Sequence, residues 1–162
     1  MTQEAEKEIH DIFCSMLLGR TLATAESCTG GLIAHRLTSV AGSSAYYVGS
    51  VVSYTNQIKQ NVLGVSEADI AAHSEVSNTV ACQMAEGVRR LMQTDYAVST
   101  TGYAGPTGGT SAQPVGTVWI GISTPKCTHA EKHFFSGDRM NVVQAAAEKA
   151  LRLLIDEIAN RQ

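Results

Sequence analysis

Leu22-Ala23-Thr24-Ala25-Glu26-Ser27-Cys28-Thr29-Gly30-Gly31-Leu32-Ile33-Ala34-His35-Arg36-Leu37 is the stretch on which the reading of this chain turns. A short apolar run ends, two adjacent glycines follow and a helical pattern begins, which predicts a strand, a tight turn and a helix. Glycines let backbone approach a ligand closely, and the helix would turn its unpaired N–H groups back toward Ser27. Such a turn suits an anion or an oxyanion, with Ser27 as a nucleophile. The plainer expectation is that Thr29 caps the helix and the glycines only close the connection.

Ahead of this stretch Ile9, Ile12, Phe13, Met16 and Leu17 recur at helical spacing between Glu4 and Leu18, an amphipathic helix ended by Gly19. Thr21 to Thr24 is the strand, and the helix after Ser27 runs to about Val40. The Tyr- and Val-rich stretch from Ala45 to Tyr54 predicts a second strand, after which Asn56 caps a short helix holding Lys59 and Val62 and ended by Gly64. Ser66 caps a further turn through Ala72. Ser77 opens a long helix whose buried stripe is Val80, Met84, Val88, Leu91 and Met92.

Tyr96 to Thr100 is a strand that runs into the glycine-rich loop Thr101 to Thr110. Val115 to Ser123 and His129 to Phe135 then form an antiparallel hairpin about Pro125. Asp138 caps the last helix, apolar at Val142, Val143, Ala146, Ala150, Leu151, Leu154, Ile155 and Ile158. Helices bracketing strands imply a three-layer α/β/α sandwich with a mixed, mostly parallel sheet.

With 162 residues, 44% of them hydrophobic and 17% charged, residues 1–162 fit one domain. A net charge of -3, with no basic cluster beyond Arg89-Arg90, argues against a nucleic-acid surface, so a small molecule or a protein is the expected partner. Cys14, Cys28, Cys82 and Cys127 form no C-x-x-C pair and suggest no zinc site by spacing. Free thiols, an acidic amphipathic N-terminus and the lack of an apolar run of about 18 residues predict a cytoplasmic protein with no membrane partner. The oligomeric state stays open, a homo-oligomer included.

Ligands of open α/β sheets gather at the carboxyl ends of the strands, where the Ser27 turn and the Thr101 to Thr110 loop both fall. Neither has a Walker or dinucleotide pattern. Serine needs an activating base, yet His35 lies on a helix and His10 and His73 read as surface positions. Lys59 is the alternative, with Tyr54 five residues before it, although on the local sequence an exposed helix lysine is the plainer expectation. Moving a lysine pKa from about 10.4 to near 7 takes roughly 4 to 5 kcal/mol, so the site must be partly dry. Cys28 is a rival nucleophile if a helix N-terminus lowers its pKa, though a small buried cysteine is the commoner case. His129 and His133 share a strand face roughly 13 Å apart, too far for one ion, so no metal is expected.

Ala25-Glu26-Ser27-Cys28-Thr29-Gly30-Gly31, Tyr54 with Lys59 and Leu63-Gly64-Val65, His73-Ser74-Glu75-Val76-Ser77, Thr101-Gly102 through Gly109-Thr110, and Pro114-Val115-Gly116-Thr117-Val118 together resemble the CinA C-terminal domain over nearly the whole chain. The resemblance implies a competence/damage-inducible family whose stand-alone members are nicotinamide-nucleotide amidases. Larger members add an N-terminal domain similar to molybdopterin-binding proteins, so the expectation here is the amidase domain alone. By resemblance Ser27, Lys59 and Tyr54 are catalytic, and the Gly-Pro loop falls on Gly105 and Pro106. Thr29, Gly30, Gly31, Thr101, Gly102, Gly105 and Arg139 are the expected substrate-binding residues.

The implied reaction hydrolyses the carboxamide of nicotinamide mononucleotide to nicotinic acid mononucleotide and ammonia, with no cofactor. The alternative is a non-catalytic nucleotide-binding or regulatory module. The chain departs from the family pattern at Ser50, where a second glycine often follows Gly49, at Tyr103, where an aliphatic residue is usual, and at Val143, where a second arginine is usual. These departures bear on substrate more than on fold.

Overall fold

Strand β1 (Leu22–Glu26) is buried along its whole length. The computed structural model, which describes residues 1–160, pairs it in parallel with β2 (Tyr47–Val52) on one side and β3 (Tyr96–Gly102) on the other. Beyond β3 the direction alternates. β4 (Thr117–Ser123) is antiparallel to β3 and β5 (Thr128–Phe134) antiparallel to β4, giving the order β2-β1-β3-β4-β5. Four strands therefore point one way and β4 points against them, the mixed and mostly parallel sheet expected.

Alternation along the strands sends side chains to two separate cores. Leu22, Val98, Ile120 and Ile122 pack under α1 (Gln3–Leu17), α2 (Leu32–Thr38) and α6 (Arg139–Ala159), which contribute Phe13, Ile33 and Leu154. Ala23, Ala25 and Ala97 face the opposite layer, α3 (Asn56–Leu63) and α5 (Asn78–Met92), through Leu63, Val80, Met84 and Val88. The short α4 (Glu67–His73) packs on α5. The small alanines bring α5 close to the sheet, and Ser99 Oγ donates to the Ala81 carbonyl across that gap at 2.6 Å. Among the described residues no helix is long and apolar enough to cross a membrane.

Helix starts follow the capping residues in the sequence. The side chains of Ser66, Ser77 and Asp138 each accept an N–H from the residue three positions on. The cap of α3 is Thr55 and not Asn56, because Thr55 Oγ1 accepts the Ile58 N–H while Asn56 is already helical. β1 runs two residues past Thr24, to Glu26. β2 begins at Tyr47 because a 3-10 turn holds Ser43–Ala45, and β4 begins only after Gly116, which sits at φ 101°.

One glycine fixes the helix that matters for the site. A Cβ on Gly87, in the middle of α5, would lie 2.1 Å from the Leu63 carbonyl oxygen. The end of α3 rests directly on α5 backbone there, which sets the height at which α3 presents Lys59.

Candidate active site

The parallel strands β1, β2 and β3 end on one side of the sheet, as ligand sites of open α/β sheets require. Ser27 follows β1, Tyr54 follows β2, and Thr101 and Gly102 close β3. They line one cavity of about 410 Å³ together with Lys59, Glu75, Gly105 and Arg139, within the usual size range of small-molecule sites.

At its floor the Lys59 Nζ donates to Ser27 Oγ at 2.9 Å and to the Ser53 carbonyl at 2.9 Å. Lys59 lies one turn into α3, and a helical side chain leans toward its own N-terminus, which carries the ammonium back over the Ser53 to Thr55 corner. Lys59 is 1% exposed and Ser27 8%. Burial pulls the lysine pKa below its ordinary value, and the negative charge of Glu75 pulls partly the other way. A dry lysine against a serine hydroxyl has the polarity of a base beside a nucleophile.

The turn between β1 and α2 differs from the expectation in a way that narrows the chemistry. Gly31 is the N-cap at φ 98° and offers no side chain. The cap comes from Glu26, fully buried at the end of β1. Its carboxylate accepts the N–H of Ile33 at 2.9 Å, the N–H of Ala34 at 3.0 Å and the Thr29 hydroxyl at 2.7 Å. Thr29 is thus no helix cap, and the Thr100 hydroxyl shares its oxygen at 2.7 Å. The first-turn amides of α2 are occupied from inside and do not turn to the cavity as the sequence suggested. The N–H of Ser27 is taken by the Thr100 carbonyl and that of Gly30 by the Ser27 carbonyl, whereas those of Cys28 and Thr29 enter no backbone hydrogen bond.

Tyr54 stands at the rim, 60% exposed, and its hydroxyl accepts from Arg139 at 2.9 Å. Arg139 also donates to the Gly105 carbonyl at 2.6 Å. No hydrogen bond joins Tyr54 to Ser27 or Lys59, and its hydroxyl stands beside Arg139 at the mouth of the cavity. Thr101 donates to the Glu75 carbonyl at 2.7 Å. Glu75 is held by Ser74, a non-glycine residue at φ 76°, a conformation that costs about 1 to 3 kcal/mol. Glu75 falls within the His73 to Ser77 motif, but the sequence alone does not single out its side chain as part of the cavity lining.

The expected binding residues divide between two neighbouring cavities. Thr101, Gly102 and Gly105 belong to the Ser27 cavity. Thr29, Gly30 and Gly31 line a second one of about 410 Å³, with His35, Met140 and Val143, and Tyr54 and Arg139 form the partition between them. Burial pushes the Cys28 thiol pKa up to about 12, which disfavours the thiolate a cysteine nucleophile needs. His10 is engaged with Tyr46 at 3.0 Å, far from the site in the fold.

Comparison with known proteins agrees with this architecture. Residues 3–158 match the profile of the CinA C-terminal domain. A CinA-like protein of Salinibacter ruber is 57% identical over 138 residues, covering 83% of this chain and 34% of the relative. One of Syntrophobacter fumaroxidans is 51% identical over 136 residues, covering 84% and 32%. The chain therefore spans about a third of the length of these curated relatives. The crystal structure of competence damage-inducible protein A from Klebsiella pneumoniae superposes with a TM-score of 0.91 at 36% identity, covering 97% of this chain and 99% of that one. A profile match across both core layers and the serine turn, with a solved structure of the same fold, makes this chain a member of the CinA C-terminal domain family.

Proposed function

We propose that this domain is an amidase that hydrolyses the carboxamide of nicotinamide mononucleotide to nicotinic acid mononucleotide and ammonia. The observation that carries the reading is the buried Lys59 Nζ 2.9 Å from Ser27 Oγ. A nucleotide-binding module has no need of a dry lysine, whose burial costs stability, whereas a serine nucleophile does.

In this mechanism neutral Lys59 takes the Ser27 proton as Oγ attacks the amide carbon. The resulting ammonium then protonates the leaving nitrogen, and ammonia departs from an acyl-serine. Water, activated by the neutral lysine, attacks the ester carbonyl, and Ser27 leaves with its proton restored. The N–H of Cys28, which lines the same cavity and enters no backbone hydrogen bond, is the candidate donor to the oxyanion. The Ser53 carbonyl holds the lysine in line throughout.

Substrate charge fits the lining. Arg139 supplies a fixed cation for the phosphate, and the Glu75 carboxylate supplies a negative group for the pyridinium ring. Ammonia release measured with the mononucleotide and with free nicotinamide tests this reading. The mononucleotide is expected to give the far higher kcat/KM. Equal rates would remove the nucleotide assignment, and no ammonia from either would remove the amidase.

A further inference from the structure

At the opposite end of the sheet from Ser27, the β4 to β5 turn meets the last turn of α6. There Cys127 Sγ, a His129 ring nitrogen and a Glu157 carboxylate oxygen all lie within 4.8 Å of one another. We propose that Cys127, His129 and Glu157 form a binding site for a divalent transition metal of the zinc class, closed by a water as fourth ligand.

Three arguments support the assignment. The first is geometric. Zinc bonds of about 2.0 to 2.3 Å at tetrahedral angles separate their donors by roughly 3.3 to 3.6 Å. His129 Nε2 and Glu157 Oε2 are 3.8 Å apart and Cys127 Sγ lies within 4.8 Å of both donors, so side-chain shifts of up to about 1 Å bring the three onto one ion. The second concerns donor type, because one thiolate, one imidazole and one carboxylate suit zinc and not the all-oxygen preference of calcium or magnesium.

The third argument is preorganisation and charge. Thr124 Oγ1 accepts the N–H of Cys127 at 3.0 Å and donates to its carbonyl at 3.0 Å, which fixes the turn that presents the thiol. His129 lies opposite Ile122 in the ladder, and Ile122 belongs to the core beneath α6, so the imidazole is on the face that Glu157 approaches. Glu157 stands two residues from the end of α6, where the helix dipole favours a cation. A thiolate and a carboxylate neutralise a divalent ion, and on binding the thiol proton passes to solvent.

Such an ion would clip the β-hairpin to the C-terminal helix, a structural role distinct from the chemistry at Ser27. The spacing of histidines and cysteines gave no hint of it, because the third ligand comes from a helix thirty residues downstream of Cys127.

The test is a titration of the reduced full chain with Co2+ as spectroscopic probe, followed by displacement with Zn2+. The expected result is a thiolate-to-cobalt charge-transfer band that saturates at one equivalent and disappears with Zn2+. Cys127→Ser is expected to abolish the band. Glu157→Gln is expected to weaken binding by at least the roughly tenfold that loss of an outer-sphere partner already costs. Cys14→Ser, which removes the other cysteine beside a histidine, is expected to leave both unchanged. Zn2+ is further expected to raise the Tm of the parent and not of Cys127→Ser, with ammonia release at Ser27 unaltered. Absence of the band, or its survival in Cys127→Ser, overturns the assignment. So does a zinc-induced rise in Tm that is equal in the parent and in Cys127→Ser.

Discussion

Lys59 Nζ and Ser27 Oγ lie 2.9 Å apart although 32 residues separate them in the chain, and Lys59 has almost no contact with solvent. The serine sits on the turn after β1 and the lysine on the first turns of α3, so the pair depends on how β1, β2 and α5 hold those two segments.

Replacements of Ser27 and of its neighbour Cys28 should separate cleanly. Ser27→Ala is expected to lose amide hydrolysis by several orders of magnitude while remaining folded. Cys28→Ala is expected to retain most activity and to lose about 1 kcal/mol of stability, as a buried thiol whose ionisation is disfavoured by burial contributes mainly packing. Kinetics with denaturant melts check both, and the reverse ranking would move the nucleophile to Cys28.

Lys59 should leave its mark on two pH profiles. Its folded pKa is lowered by burial, so kcat/KM is expected to rise with pH with an apparent pKa below an unperturbed lysine's roughly 10.4. Between the lowered folded value and that unfolded value the unfolded chain binds more protons, so stability rises with pH across the window. Lys59→Met removes the titration. Its stability relative to the parent is therefore expected to fall as pH rises through the same window, measured by urea melts at several pH values. Parallel curves would mean that Lys59 is not titrating in a dry site.

The Glu26 cap carries a cost that a side-chain deletion exposes. Glu26→Ala leaves the Ile33 and Ala34 N–H groups and the Thr29 hydroxyl without their acceptor in a buried setting. A loss of about 2 to 4 kcal/mol is expected, together with lower activity from a loosened Ser27 turn. A change below 0.5 kcal/mol in the denaturation midpoint analysis would contradict the capping role.

Gly87→Ala tests the packing that sets Lys59. Alanine is intrinsically the better helix former by about 1 kcal/mol, yet its Cβ would meet the Leu63 carbonyl at 2.1 Å. Net destabilisation of about 2 to 3 kcal/mol is expected, by analogy with overpacked cores, along with a drop in kcat from displacement of α3. A stabilised variant would show that α3 and α5 part easily.

Much of this architecture is legible in local sequence. The caps Ser66, Ser77 and Asp138, the periodicity of α1, α5 and α6, and the meeting of the Ser27 and Thr101 loops follow from patterns spanning a few residues. Thr55 was hidden beside Asn56, since both are cap formers and sequence does not rank neighbours. Glu26 was hidden because a carboxylate ending an apolar strand has no local signature, and only the fold shows that it reaches into the start of α2. The same limit applies to the split of the glycine loops between two cavities. The partition is built by Tyr54 and Arg139, 85 residues apart.

The most discriminating measurement is ammonia release from nicotinamide mononucleotide by the parent, Ser27→Ala and Lys59→Arg proteins across a range of pH, with the folding of each checked by circular dichroism. The parent is expected to release one ammonia per nicotinic acid mononucleotide formed, and both variants are expected to stay folded and lose the activity by several orders of magnitude, Lys59→Arg because its guanidinium keeps its proton at any working pH. A folded Ser27→Ala or Lys59→Arg protein that turns over as fast as the parent would contradict the pairing of Lys59 as base with Ser27 as nucleophile.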